Sequence, residues 1–217
     1  MQRYDLIVFD WDGTLMDSAG MIARCIQDSC RDLGLPVPAE RDARFIIGLG
    51  LQDAMRHLLP ELPTADYPRL AERYRHHFLG REDEAPLFDG VPAMLEQLSG
   101  DGYLLAVATG KSRRGLARAL EQTGTAHWFQ ASRCADETFS KPHPAMLLEL
   151  MDHFGMREDR TLMVGDTTHD LQMAQNAGCA AVAVAAGAHD RAALEALNPL
   201  VCLPSTTELR RWLATSS

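Results

Sequence analysis

From residue 91 onward the sequence alternates between strand-like and helix-like segments, and this alternation constrains the fold more than any other feature. Short apolar runs are each followed by a stretch whose apolar residues recur at three- and four-residue intervals. The predicted strands cover residues 103–108, 129–132, 161–164, 180–185 and 200–203, and the predicted helices cover residues 92–98, 112–122, 144–154, 168–177 and 206–213. Alternation of this kind predicts an α/β fold, in which a doubly wound parallel sheet carries helices on both faces.

One more strand is predicted near the amino terminus. Leu6–Phe9 is an uninterrupted apolar run, which is typical of a parallel strand covered on both faces. Asp10 and Asp12 follow directly, and Gly13 permits a sharp turn. Because open α/β sheets bind ligands at the carboxyl ends of their strands, both aspartates are predicted to face a pocket. The alternative for these residues alone is a solvated, aspartate-rich turn.

The segment between this strand and the alternating region is helical. Its apolar residues fall in stripes at helical spacing, with Ser18 as the predicted cap of the first helix, and it contains no convincing strand. We therefore predict a helical cap domain at residues 17–85, inserted into an α/β catalytic core made of residues 1–16 and 86–217.

Composition narrows the possible partners and location. The formal charge of −9 and the pI of about 5.3 disfavour non-specific binding to nucleic acid or to an anionic membrane, so an anionic substrate would need a locally positive site. No apolar run is long enough for a signal peptide or a membrane span, which predicts a cytoplasmic protein. The five cysteines form no Cys-x-x-Cys pair, unlike a disulfide framework or a structural zinc site.

Lysine is rare in this chain, and each of the two lysines lies at the start of a predicted helix. Of 21 basic residues only Lys111 and Lys141 are lysine, which points to sites where a compact ammonium group is needed. Lys111 lies at the start of a helix with Thr109 and Gly110, where a hydroxyl, a flexible glycine and free N–H groups predict a phosphate-sized anion site. A turn capped by Ser112 is the alternative there.

Lys141 and two further aspartates occupy comparable positions. A proline after Lys141 holds it on stiff backbone at the start of a helix, although an exposed lysine would look the same locally. Asp166 follows the strand at residues 161–164, and Asp170 lies one helical turn later on the same face. Simple helix capping by Asp166 or Thr167 is the alternative.

These residues together predict a metal site. Four carboxylates would converge with a threonine and a lysine at one edge of the sheet: Asp10, Asp12, Asp166 and Asp170 with Thr109 and Lys141. Ligands that are all oxygen suit Mg²⁺, which binds one or two carboxylates together with a phosphate oxygen. His169 is expected either to face solvent or to contact a metal ligand without binding the metal itself, because no other histidine has metal-ligand spacing with it.

At this point the sequence resembles the haloacid dehalogenase-like hydrolases, and within them the phosphoglycolate phosphatase-like branch that has a helical cap. Residues 10–15 resemble the first motif of that family, Thr109 the second, Lys141 the third and residues 165–170 the fourth, in the family's order. The resemblance implies a Rossmann-like core and a Mg²⁺-dependent phosphatase for a small phosphate monoester such as phosphoglycolate. It implies a small-molecule partner rather than nucleic acid or membrane, and a monomer or homodimer.

The resemblance also implies catalytic roles. Asp10 would attack phosphorus to form an aspartyl phosphate, and Asp12 would serve in turn as general acid and general base. Thr109, Gly110 and Lys141 would bind the phosphoryl group of the substrate.

The metal site implied by the resemblance uses the same aspartates. Asp10, Asp166 and the backbone carbonyl of Asp12 would bind Mg²⁺, and Asp170 would bind it directly or through another group. Asp17, Ile47 and Leu51 are the cap residues expected nearest the pocket.

Two functions besides phosphatase stay open, a phosphosugar mutase and a catalytically silent protein. A third activity of the family, dehalogenation, is disfavoured, because dehalogenases lack the second aspartate of the first motif and this chain has Asp12 there. Phosphosugar mutases carry a basic residue soon after the cap glycine, and residues 48–51 offer none, which ranks phosphatase above mutase. A catalytically silent binding or regulatory protein on the same fold is the third possibility.

Overall fold

A computed structural model of the protein describes residues 3–215, in which six strands form one parallel sheet. The strands are β1 (Leu6–Phe9), β2 (Leu104–Thr109), β3 (Ala131–Cys134), β4 (Thr161–Gly165), β5 (Ala180–Val184) and β6 (Cys202–Leu203). Their order across the sheet is β3-β2-β1-β4-β5-β6. The chain thus builds outward in one direction from β1 to β3 and in the other from β4 to β6, which confirms the doubly wound sheet and places a crevice between the ends of β1 and β4.

Ten α-helices connect and cover these strands in the described part of the chain. The four between β1 and β2 are α1 (Ala19–Asp32), α2 (Glu40–Phe45), α3 (Leu51–Leu58) and α4 (Tyr67–Leu79). The other six are α5 (Val91–Gly100), α6 (Arg113–Thr123), α7 (Ala145–Phe154), α8 (Thr168–Ala177), α9 (Arg191–Glu195) and α10 (Leu209–Thr215). None of the described helices is long and apolar enough to cross a bilayer.

Strand β1 forms the centre of the core. Its four side chains are fully buried. Ile7 and Phe9 belong to the cluster that includes α5 and the helical segment, whereas Leu6 and Val8 pack on the opposite face against α7 and α8. Burial of each such side chain contributes about 1.5–3 kcal/mol, so β1 is held firmly from both sides. The prediction of a strand covered on both faces is confirmed.

The secondary structure differs from the prediction in several details. The strand predicted at residues 129–132 lies two residues later, at β3, and the short helix α9 was not predicted. Ser18 stands at the start of α1, but its side chain makes no capping hydrogen bond with that helix. The hydroxyl donates instead to Oδ1 of Asp12, 2.8 Å away, so the predicted capping role is wrong.

Helices α1 to α4 form a helical segment that leaves and rejoins the core at one place. The N–H of Asp17 donates to the carbonyl of Pro86 (2.8 Å), and the N–H of Phe88 donates to the carbonyl of Leu15 (3.0 Å). The outgoing and returning chains therefore run side by side. The division into a cap at residues 17–85 and a core stays a prediction.

Candidate active site

Three aspartates meet in the crevice between β1 and β4. Asp10 follows β1, Asp166 follows β4, and Asp170 lies in the first turn of α8. One carboxylate oxygen from each lies within 4.8 Å of the other two, and all three side chains are buried. The N–H of Asp10 donates to the carbonyl of Val164 (2.9 Å), which continues the pairing of β1 with β4 and fixes the spacing of the first two aspartates.

Lys141 lies among these carboxylates just ahead of α7. Its Nζ is 2.7 Å from Oδ1 of Asp10 and 2.7 Å from Oδ1 of Asp170, and the residue is 2% exposed. Burial alone lowers the pKa of Lys141, but the two carboxylates outweigh that effect and raise this pKa above its usual value. The ammonium group therefore stays charged, and the alternative of an exposed lysine is wrong.

Asp166 is held in a closely fitted cradle. Its Oδ1 accepts a hydrogen bond from the hydroxyl of Thr14 (2.6 Å), and its Oδ2 accepts one from the N–H of Ala188 (2.7 Å). A Cβ atom at Gly13 would lie 2.2 Å from Asp166 Oδ2, and one at Gly187 would lie 2.0 Å from it. Neither glycine position has room for a side chain while Asp166 keeps this orientation.

The electrostatics of this cluster call for a cation. Burial raises the pKa of Asp10 well above its usual range, although the charge of Lys141 opposes the shift. Burial, followed by the negative charge of Asp170, likewise raises the pKa of Asp166. Within residues 3–215, Oδ2 of Asp10 has no hydrogen-bond partner. A buried set of carboxylate oxygens, one of them without a hydrogen-bond partner, fits the ligands that Mg²⁺ prefers.

Helix capping takes place beside the site as well. Thr167 caps α8, and Oδ2 of Asp170 accepts hydrogen bonds from the N–H (3.0 Å) and the hydroxyl (2.7 Å) of Thr167. Oδ1 of Asp170 remains for Lys141 and for a ligand. Ser112 similarly caps α6 by accepting a hydrogen bond from the N–H of Gly115 (3.2 Å). Both capping alternatives are realised without removing any group from the site.

The carboxylate of Asp12 lies apart from the other three. Its Oδ1 accepts a hydrogen bond from Ser18, and its Oδ2 is 3.1 Å from Nζ of Lys111. It does not belong to the group of three that could hold a metal among the described residues. The structure therefore brings together three of the four predicted carboxylates and leaves the fourth facing a cavity. Sequence reasoning missed the contact with Ser18, whereas the scarcity of lysine had pointed to Lys111.

The second predicted motif lies at the end of β2. Thr109 is fully buried, and its hydroxyl oxygen accepts a hydrogen bond from the N–H of Lys111 (3.2 Å). A Cβ atom at Gly110 would lie 2.4 Å from the carbonyl oxygen of Leu49. The loop between α2 and α3 therefore rests directly on Gly110, which closes the helical segment over this edge of the sheet.

A cavity of about 710 Å³ lies between the helical segment and the core. Asp12 and Lys111 line it on the core side. Ile47 and Leu51, two of the three cap residues expected near the pocket, line it on the helical side. The third, Asp17, is exposed and does not line the cavity.

His169 does not face solvent, so that part of its prediction is wrong; the alternative, that it contacts a metal ligand, stays a prediction. It is 6% exposed, and its Nε2 lies 2.7 Å from the carbonyl oxygen of Phe45, which also lies 3.0 Å from Nε2 of His189. Because a carbonyl only accepts, both rings donate from Nε2. Nδ1 of His189 accepts from the N–H of Thr168 (3.0 Å), and its ring stacks on Phe45 at 5.2 Å. The two histidines thus join α2 to the core, and no spacing in the sequence signals this contact.

Comparison with known proteins agrees with this arrangement. A family model described as haloacid dehalogenase-like hydrolase matches residues 7–184. The "Probable phosphatase IndB" of Dickeya dadantii is 38% identical over 210 residues, which cover 94% of this chain and 91% of that protein. The phosphoglycolate phosphatase of Vibrio cholerae is 32% identical over 189 residues, covering 82% and 83%. The crystal structure of a predicted phosphoglycolate phosphatase from Haemophilus somnus has a TM-score of 0.87 at 26% identity and covers 97% and 98% of the two chains.

Proposed function

The chain belongs to the haloacid dehalogenase-like hydrolase family, and we propose that it is a Mg²⁺-dependent phosphatase that hydrolyses small phosphate monoesters through an aspartyl phosphate. One observation carries the proposal. Asp10 is buried with the Lys141 ammonium 2.7 Å from one oxygen, with no hydrogen-bond partner on the other within residues 3–215, and with Asp166 and Asp170 close by. This is the environment that an attacking carboxylate and a bound phosphoryl group require.

The first chemical step assigns one role to each of the first two aspartates. An oxygen of Asp10 attacks phosphorus and forms the new P–O bond, while the P–O bond to the alcohol breaks. Protonated Asp12 gives its proton to the oxygen of the departing alcohol. The contacts from Ser18 and Lys111 hold the carboxyl group of Asp12 at the cavity, where that alcohol departs.

The second step reverses the role of Asp12. Now a carboxylate, it takes a proton from water as the water oxygen attacks phosphorus. The P–O bond to Asp10 breaks, which releases inorganic phosphate and restores the Asp10 carboxylate.

Binding of the phosphoryl group completes the proposed site. The hydroxyl of Thr109, the backbone at Gly110 and the ammonium of Lys141 would hold the phosphoryl oxygens. Mg²⁺ would be held by the carboxylates of Asp10, Asp166 and Asp170 and by the backbone carbonyl of Asp12. The ion would supply positive charge to the phosphoryl oxygens.

The helical segment is proposed to act as the cap of this site. Besides the contacts of Phe45 and Gly110, the N–H of Gly50 donates to the hydroxyl of Ser140 (2.7 Å). A lid held in this way would exclude water during the first step and surround the departing alcohol.

A hydrolysis assay tests the proposal. We expect the purified protein to release inorganic phosphate from small phosphate monoesters with Mg²⁺, to stop when EDTA is added in excess, and to recover when Mg²⁺ is restored. Asp10→Asn removes the attacking carboxylate and should abolish turnover. Asp159→Asn, which changes an exposed aspartate paired with Arg157, should have no effect.

Turnover that survives in Asp10→Asn or in EDTA would contradict the proposal. The mutase alternative predicts an isomerised sugar phosphate instead of free phosphate, and a silent protein predicts no turnover with any ester.

A further inference from the structure

The cavity next to Asp12 is large for a two-carbon acid. Its volume of about 710 Å³ lies within the range of roughly 300–1,000 Å³ that is typical of pockets enclosing drug-sized ligands. A substrate as small as phosphoglycolate would leave most of this space to water. The size of the cavity therefore indicates a larger departing alcohol.

The wall that the helical segment contributes is mainly apolar. Side chains from α1, α3 and α4 line it, including Ile22, Ile26, Met55, Tyr74, Phe78 and Leu79. The first three are at most 6% exposed, so they form a fixed surface, whereas Leu79 is 51% exposed at the outside. Apolar surface of this kind gains free energy when an apolar group covers it.

The apolar wall begins directly beside the proposed acid and base. Nζ of Lys111 is 3.1 Å from Oδ2 of Asp12 and 4.6 Å from the centre of the Phe78 ring. Because Asp12 gives its proton to the oxygen of the departing alcohol, the carbon atoms bonded to that oxygen must lie in the same neighbourhood. The body of the alcohol then extends along Phe78 into the cavity.

The charges around the cavity offer a small carboxylate one excess cation. Four basic and four acidic residues line it, so with Asp12 protonated for the first step the excess is a single positive charge, at Lys111. Lys111 is paired with Asp12 and Arg118 with Glu82, and the remaining basic residues, Arg75 and Arg114, are exposed. Exposed arginines attract a carboxylate only weakly because solvent screens them.

We infer that the substrate is a phosphate monoester whose alcohol carries a bulky apolar body, such as an aromatic ring, and that Phe78 and Leu79 contact that body. This inference rests on the proposed phosphatase function. Every substrate of the site would share the phosphate group, so the cavity that receives the alcohol is what selects among substrates.

A matched pair of esters tests the inference. Benzyl phosphate and ethyl phosphate both release a primary alcohol, so they differ chiefly in the apolar ring; 2-phosphoglycolate supplies the small anionic alternative. With Mg²⁺, we expect kcat/KM for benzyl phosphate to exceed that for both other esters by about 10- to 100-fold, the factor that burial of a ring-sized apolar group provides. Equal or higher kcat/KM for ethyl phosphate or phosphoglycolate would overturn the inference.

Two variants locate the contact. Phe78→Ala and Leu79→Ala should each lower kcat/KM for benzyl phosphate by about 3- to 10-fold, a larger loss than for ethyl phosphate, which lacks the ring. Leu79→Ala alters a side chain that is 51% exposed, so loss of folding does not obscure the result. Phe139→Ala is the control, because Phe139 is 66% exposed and does not line the cavity.

The two proposals fail in different ways. Equal losses on both esters in both variants would overturn the assignment of Phe78 and Leu79. Absence of Mg²⁺-dependent hydrolysis for every ester, or turnover in Asp10→Asn, would overturn the phosphatase proposal itself. Hydrolysis without preference for benzyl phosphate would leave that proposal standing and overturn only the substrate class.

Discussion

The charge on Asp10 depends chiefly on one neighbour. Burial raises the pKa of Asp10, and Lys141 is the largest influence that opposes this shift. Lys141 in turn touches two carboxylates, so its single positive charge holds together Asp10, which follows β1, and Asp170 of α8. In the proposed mechanism the carboxylate must be ionised to attack phosphorus, so this ion pair would be a condition for catalysis as well as for packing.

Replacement of Lys141 should therefore separate activity from folding. Lys141→Met keeps the apolar length of the side chain but removes the charge that lowers the pKa of Asp10, so this pKa should rise further and the attacking carboxylate should be disfavoured. We expect kcat to fall by at least about 10²-fold, as for removal of a charged group from a phosphoryl site. Circular dichroism should still show a folded protein with a lower melting temperature.

Arg210→Met is the matched control, because Arg210 pairs with Asp101 at the surface. It should keep normal turnover. Normal turnover in Lys141→Met would refute the role given to that residue.

At the scale of elements, the loops that follow strands position the site more than the strands alone. The loop between β5 and α9 carries Gly187 and Ala188 against Asp166, and the turn after β1 carries Gly13 and Thr14 against its other side. Two loops distant in the sequence therefore set the orientation of one carboxylate.

A single methyl group in the first of these loops should disturb that orientation. Gly187→Ala would place Cβ 2.0 Å from Asp166 Oδ2, so the carboxylate must move. We expect weaker Mg²⁺ binding, seen as a higher Mg²⁺ concentration for half-maximal activity by about tenfold. Gly100→Ala is the control, since a Cβ there meets nothing within 4 Å. An unchanged Mg²⁺ requirement in Gly187→Ala would contradict the account.

At the scale of the whole molecule, the helical segment rests on the core through a few specific contacts. The carbonyl of Phe45 accepts hydrogen bonds from His169 and His189, the N–H of Gly50 donates to Ser140, and Leu49 lies over Gly110. All these contacts are made by α2 and the loop after it. This part of the chain therefore connects the helical segment with the edge of the core that carries the aspartates.

Loss of one histidine contact should loosen α2. His189→Phe retains a ring beside Phe45 but removes the hydrogen bonds that the imidazole makes with Phe45 and Thr168, each of which contributes about 0.5–1.5 kcal/mol. We expect faster amide exchange in a peptide covering Glu40–Phe45, with little change in the strands, and a lower kcat/KM. His153→Phe, at an exposed position on α7, should behave like the unaltered protein. Equal exchange in both variants would argue against the connection.

The sequence was informative where local pattern determines the structure. The apolar run before Asp10 and the helix after Thr167 predict their elements closely, and the strand ends place Asp10 and Asp166 at one sheet edge. Ser18 shows the limit, because its hydroxyl lies at the start of a helix but donates to Asp12 instead of capping that helix. The burial of His169 depends on Phe45, 124 residues away in the chain, and no periodicity carries that information.

The side-by-side passage of the chain at Leu15–Asp17 and Pro86–Phe88 has an evolutionary consequence. Because the helical segment leaves and rejoins the core at one place, a related chain could carry a segment of different size there without displacing any strand. The catalytic residues of the core would then be kept while the cavity for the alcohol changes. Such an exchange would let one ancestral phosphatase core acquire new substrates.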